Sequence, residues 1–147
     1  MSNIKAPRPL HGPGTSGDTL DIVATFRARD AKDFGLNVRV GNGQLTRIGY
    51  DVRRGGVYVD RTASGDVSFS PQFPSVEFAP LPLRAGTVRL RVLVDRSSVE
   101  VFADGGRVTI TDQVFPDRNS QAVQVFSQGG RAQLKKITIW HLTSIWQ

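Results

Sequence analysis

In the stretch Val94-Asp95-Arg96-Ser97-Ser98-Val99-Glu100-Val101-Phe102, apolar and polar side chains alternate on both sides of a short polar turn. Successive side chains of a strand point to opposite faces. Val99 and Val101 therefore face one way, and Glu100 and Phe102 the other. Just upstream, Val88, Leu90, Val92 and Val94 line one face with Arg89 and Arg91 opposed. A turn near Arg96-Ser97 joins the two runs into a hairpin, and Asp104-Gly105-Gly106 turns the chain again towards Val108 and Ile110.

The same grammar extends in both directions. Leu20, Ile22, Ala24, Phe26 and Ala28 alternate with Asp21, Thr25, Arg27 and Arg29. Phe34, Leu36, Val38 and Val40 alternate with Asn37 and Arg39, and Gly41-Asn42-Gly43 supplies a tight turn. Leu45 to Asp51 and Gly56 to Arg61 form the next pair around Arg53-Arg54-Gly55. Ser64 to Pro82, rich in Pro, Ser and Phe, reads as a long connection across one end. Later strands span 121–127 and 132–142, joined by Gln128-Gly129-Gly130. In the last, Ala132 and Leu134 are out of phase with Ile137 and Ile139, which places a bulge at Lys135-Lys136. No stretch carries a sustained helical period, and turn signals recur about every 8–12 residues. The chain is expected to be all-β, an antiparallel two-sheet β-sandwich of the jelly-roll or concanavalin-like kind. Residues 1–18, with prolines and glycines and little periodicity, are expected to be a lead-in or linker, and 19–147 the sandwich domain.

Composition narrows the function. A chain of 147 residues can bury one core unaided. With no cysteine, disulfides and thiolate metal sites are excluded, and the two histidines, His11 and His141, share no ligand spacing, so no metal or other cofactor is expected. No apolar run approaches the roughly 20 residues of a membrane helix, and Met1 to Lys5 lacks the apolar core of a secretory leader. The net charge of +6 raises a nucleic-acid reading. Yet the arginines are scattered, only Arg53-Arg54 and Lys135-Lys136 are adjacent basic pairs, and no aromatic-studded binding motif accompanies them. A solvated arginine-rich surface is the expectation, with neither nucleic acid nor membrane as partner.

The chain has 13 acidic residues, but Asp30, Asp33, Asp66, Asp104 and Asp117 fall in turns, where such side chains cap backbone. There is no GxSxG elbow, P-loop or HExxH pattern, and Ser97-Ser98 reads as turn chemistry. Three segments place charge within or at the ends of apolar strands: Ile48 to Asp51, Tyr58 to Arg61, and Asp95 to Phe102. Glu100 sits beside Phe102 on the polar face and could pair with Arg61 or Arg96. Carboxylates and guanidiniums suit sugar hydroxyls, and an aromatic supplies a pocket's apolar wall. An ion pair tying strands together is the alternative.

Several of these pieces, in this order and spacing, resemble one family: Phe34 to Val40, Gly49-Tyr50-Asp51, Val59-Asp60-Arg61, Ala79 to Leu83, Leu93 to Phe102, Val114-Phe115-Pro116 and Leu142 to Trp146. The family is the C-terminal β-sandwich of glycoside hydrolase family 32, which includes levanases, inulinases and invertases; the resemblance runs from about Thr19 to Trp146. A related branch is classed with family 66 carbohydrate-binding modules, which bind terminal fructose. The resemblance implies two antiparallel sheets of about six strands each, and an extracellular parent enzyme. It places catalysis in a separate five-bladed propeller whose Asn-Asp-Pro, Arg-Asp-Pro and Glu-Cys motifs are missing here, so this chain is not expected to be an enzyme. A fructan or fructose ligand and a catalytic propeller are the implied partners, with Asp51, Asp60, Arg61, Arg96 and Glu100 as candidate carbohydrate contacts. Packing on that propeller as a purely structural domain is the competing expectation.

Overall fold

The computed structural model describes residues 2–4, 8–10, 16–65 and 76–142. These form twelve strands: β1 (Ser2–Ile4), β2 (Arg8–Pro9), β3 (Leu20–Arg27), β4 (Asp33–Gly41), β5 (Gln44–Asp51), β6 (Gly56–Asp60), β7 (Val76–Pro80), β8 (Thr87–Val94), β9 (Ser98–Ala103), β10 (Val108–Gln113), β11 (Ala122–Gln128) and β12 (Ala132–His141). The front sheet has the order β1-β12-β3-β8-β9-β10 and the back sheet β2-β11-β4-β5-β6-β7, with antiparallel pairing throughout. No helix occurs among the described residues.

Alternation accounts for the core. Leu20, Ile22, Ala24 and Phe26 of β3 face Leu36, Ile48, Tyr50, Val57 and Val59 of the back sheet in one buried cluster, with Val92, Val94, Val99 and Val101. Val99 and Val101 are wholly buried while Glu100 and Phe102 lie half-buried on the outer face, as the period of two requires. The bulge expected at Lys135-Lys136 is present, as a register shift between Leu134 and Lys136.

Three expectations need correction. The described parts of residues 1–18, expected to be a lead-in or linker, include two strands of the sandwich, while residues 1, 5–7 and 11–15 lie outside the described residues. Ser2–Ile4 pairs with β12, Arg8–Pro9 pairs with β11, and Ile4 belongs to the core. Strands of two and three residues are too short to show alternation, and an edge strand tolerates Pro9. Asp66 and Thr143 to Trp146 also lie outside the described residues. The connection from Ser64 to Pro82 contains β7, an edge strand on β6 that proline content had masked. Asp33, expected to cap a turn, instead opens β4 and accepts the Tyr58 hydroxyl.

Arg39 departs furthest from the expected pattern. A register shift between Val38 and Gly41, with Arg39 at φ +51°, takes it out of alternation. Its guanidinium is almost wholly buried. Nε donates to Ser120 O at 2.6 Å, Nη1 to Arg96 O at 3.0 Å and Asp95 O at 3.5 Å, and Nη2 to Asp117 O at 3.1 Å. Burial draws the Arg39 pKa below its ordinary value, and the negative charges of Asp18 and Asp95 oppose that fall.

The centre of the back sheet's outer face is covered by its own side chains. Tyr58 lies flat over Gly49 and donates its hydroxyl to both carboxylate oxygens of Asp33, at 2.7 and 2.9 Å. The Arg47 guanidinium sits 4.1 Å above the Phe126 ring and donates to Asn37, which donates to Gln124. Asn37 and Phe126 are fully buried as a result. Only glycine leaves room here, since a Cβ on residue 49 would lie 2.5 Å from Tyr58 Cζ. Gly49→Ala should lower stability by about 1–3 kcal/mol, read as a fall in the urea midpoint. In a Tyr58→Ala background the same substitution should cost much less; an equal cost in both backgrounds would show that the ring is not the obstacle.

Candidate functional site

The five candidate residues do not meet in one place. Asp51 ends β5, and its carboxylate accepts from Arg54 N at 3.1 Å, capping the turn to β6. Asp60 ends β6 at the opposite end of the hairpin and accepts from Thr62 N at 2.9 Å and Thr62 Oγ1 at 2.7 Å. Arg61 donates to Gln113 O at 3.0 Å and lies 3.9 Å from Glu77. Arg96 sits in the β8–β9 turn with Nε 3.3 Å from Asp18. Glu100 stands in β9 on the front sheet's outer face, opposite Leu93 and Thr111. The expected pairing of Glu100 with Arg61 or Arg96 is therefore not formed. Both arginines sit at a sheet end with other partners, whereas Glu100 is in mid-strand.

Asp95 fixes the turn between β8 and β9. Its carboxylate accepts from Arg96 N at 2.7 Å, while its own N–H donates to Ser98 O at 2.9 Å.

A second cluster joins the edges of the two sheets. Asp112 of β10 points inward, only 5% exposed, beside Glu77 of β7 and Arg61, and its Oδ2 is buried with no hydrogen-bond partner among the described residues. Burial, then the neighbouring Glu77 carboxyl, push the Asp112 carboxyl up to about 7, against the opposing pull of Arg61.

The outer face of the front sheet is where chemistry is open to solvent. Cross-strand register builds two parallel rows on it. One runs Trp140, Asp21, Leu93, Glu100, Thr111 across β12, β3, β8, β9 and β10. The other runs Thr138, Val23, Arg91, Phe102, Thr109. Arg91 reaches diagonally between them and grips Asp21 with two bonds, Nη2 to Oδ2 at 2.7 Å and Nε to Oδ1 at 3.1 Å. That fork raises the Arg91 pKa through its hydrogen bonds to Asp21, and it holds both planes still without a ligand. Trp140 is 51% exposed at the end of its row, and Leu142 lies beside it. Three depressions share this face. They are lined by Phe102, Leu93 and Gly105-Gly106, by Trp140, Thr138 and Lys136, and by Asp21, Val23 and Leu142, with Arg89 common to all.

Of the sequence candidates, only Glu100 belongs to this face. Asp21, Arg91 and Trp140 were missed because each reads alone as an ordinary strand residue. Their meeting depends on pairings spanning 70 residues or more. The one local signal was that Asp21 lies inside the apolar run Leu20 to Ile22.

No group of three or more metal-ligating side chains occurs among the described residues, and no helix is long and apolar enough to cross a membrane.

Two six-stranded antiparallel sheets packed on one shared core define a β-sandwich domain. Residues 2–141 match the family model described as glycosyl hydrolases family 32 C terminal, and the chain belongs to that family. It is 43% identical over 136 residues to a levanase of Bacillus subtilis, covering 90% of this chain and 20% of the relative. It is 38% identical over 136 residues to an extracellular exo-inulinase of Aspergillus ficuum, covering 90% of this chain and 25% of that one. The crystal structure of exo-inulinase from Aspergillus awamori superposes with a TM-score of 0.90 at 33% identity, over 99% of this chain and 29% of that chain. The chain thus spans about a fifth to a quarter of the length of these relatives.

The Asp112–Glu77 contact carries a pH dependence with a defined sign. A carboxyl whose pKa is raised on folding binds more protons in the folded than in the unfolded chain between the two values. Its contribution to stability is therefore full below about pH 4 and lost as the pH rises through about 7. Urea midpoints measured across that range should decline, and Asp112→Asn should flatten the decline. An unchanged slope in that variant would assign the effect to other groups.

Proposed function

We propose that this chain is a non-catalytic carbohydrate-binding module of a fructan-degrading glycoside hydrolase that works outside the cell, with the front sheet's outer face as its sugar-binding surface. The observation that carries this is the exposed Trp140 beside the Arg91–Asp21 fork. The indole offers an apolar plane to a sugar ring. Arg91, held in place by Asp21 and 53% exposed at its side chain, offers fixed donors to hydroxyls, and Glu100 further along the row offers acceptors. Relatives named levanase, exo-inulinase and fructan beta-fructosidase point to fructose polymers as the ligand class. Of the residues drawn from sequence, Glu100 stays in this proposal. Asp51 and Asp60 cap turns, and Arg61 and Arg96 serve strand-end contacts away from the face.

A second reading has its own support. Trp140 and Leu142, 51% and 44% exposed, share a depression with Val23, and such a patch also suits packing against the catalytic part of the parent enzyme. The two readings separate on the isolated chain. Calorimetric titration with fructose, levan and inulin should show binding, and Trp140→Ala should weaken it about tenfold, or about 1.4 kcal/mol. Val76→Ala, on the far edge of the back sheet, should leave it unchanged. No heat with any of the three ligands at millimolar concentration would sink the proposal and favour the packing role.

A further inference from the structure

We propose that the front face takes an internal run of several sugar units along its rows, rather than one terminal sugar in a pocket; this rests on the fructan reading above. A site for a chain end needs a wall that stops the chain. Here the depressions, about 550, 390 and 380 Å³, run into one another through Arg89, and Trp140 and Val23 are shared by two of them. At the far side the lip is Gly105-Gly106, where a Cβ would meet nothing within 4 Å. Beyond Glu100 and Phe102 the rows continue onto exposed Thr111 and Thr109.

The row's composition also repeats. Trp140, Asp21, Leu93 and Glu100 alternate an apolar side chain with a hydrogen-bonding one across four strands, and Thr111 adds a further hydrogen-bonding group on the fifth. Four strand spacings span roughly 19 Å, more than a single sugar ring covers. A polymer laid across the strands would meet the Trp140 plane, the Leu93 side chain and polar groups at successive positions. Each added unit would then gain contacts without a second loss of translational freedom.

The test uses the unaltered chain with levan-type and inulin-type oligosaccharides from a disaccharide to a hexasaccharide, and fructose alongside. Affinity should rise at least about tenfold across the series and then level off. Amide and indole NMR shifts should spread from one end of the row with fructose to the whole stretch from Trp140 to Thr111 with the hexasaccharide. A dissociation constant that is the same for fructose and for every oligosaccharide, with a footprint of constant size, would overturn the internal-run proposal and leave the fructan reading standing. No binding to any member of either series would overturn both.

Discussion

The buried guanidinium of Arg39 is the constraint on which the front half of the molecule depends. It belongs to the back sheet, yet its donors reach carbonyls of the β8–β9 turn and of the segment leading to β11. A buried cation is costly unless hydrogen-bonded, and here four backbone oxygens, one of them at 3.5 Å, surround it. The Asp95–Ser97 turn, which sets where β9 begins, is thereby tied to the back sheet. The register of β9 on β8 then places Glu100 and Phe102 beside Leu93 and Arg91. Ser120 adds to the same knot, its hydroxyl donating to Gly41 O and Gln44 Oε1.

Two outer faces with opposite fates follow from the choice of small or large residues. On the back sheet, Gly49 lets Tyr58 lie flat, and Arg47, Asn37 and Gln124 are linked by a chain of two hydrogen bonds. Burial raises the pKa of Asp33 and of Tyr58, whose hydroxyl and carboxylate satisfy each other. On the front sheet the equivalent positions carry Val23, Leu93 and Arg91, and Val23 and Leu93 are only half-buried among the described residues. Asp21 and Arg91 satisfy each other, and the arginine stays reachable, its side chain 53% exposed against 12% for the aspartate.

Much of the sandwich was legible in the sequence because strands β3, β8 and β9 alternate without interruption, so Val99 against Glu100 needed no further information. What was hidden had physical causes. Arg39 looked like an outward residue until a bulge with positive φ turned it inward. β1, β2 and β7 are short edge strands whose identity comes from their neighbours. The site was less legible still. Glu100 was placed on the right face by local pattern alone, but Trp140, Asp21 and Arg91 come together only through the β12–β3–β8 pairing. Asp51 and Asp60 drew attention as charges at strand ends, a position that turn-capping carboxylates share.

The most direct measurement of the central claim is a crystal structure of the chain soaked with a levan oligosaccharide. The account predicts density along the front sheet, with a sugar ring against the Trp140 indole and hydroxyls within hydrogen-bonding distance of Arg91, Asp21 or Glu100. Sugar density confined to the strand-end loops around Asp60, Arg61 and Arg96, with the front face bare, would contradict it.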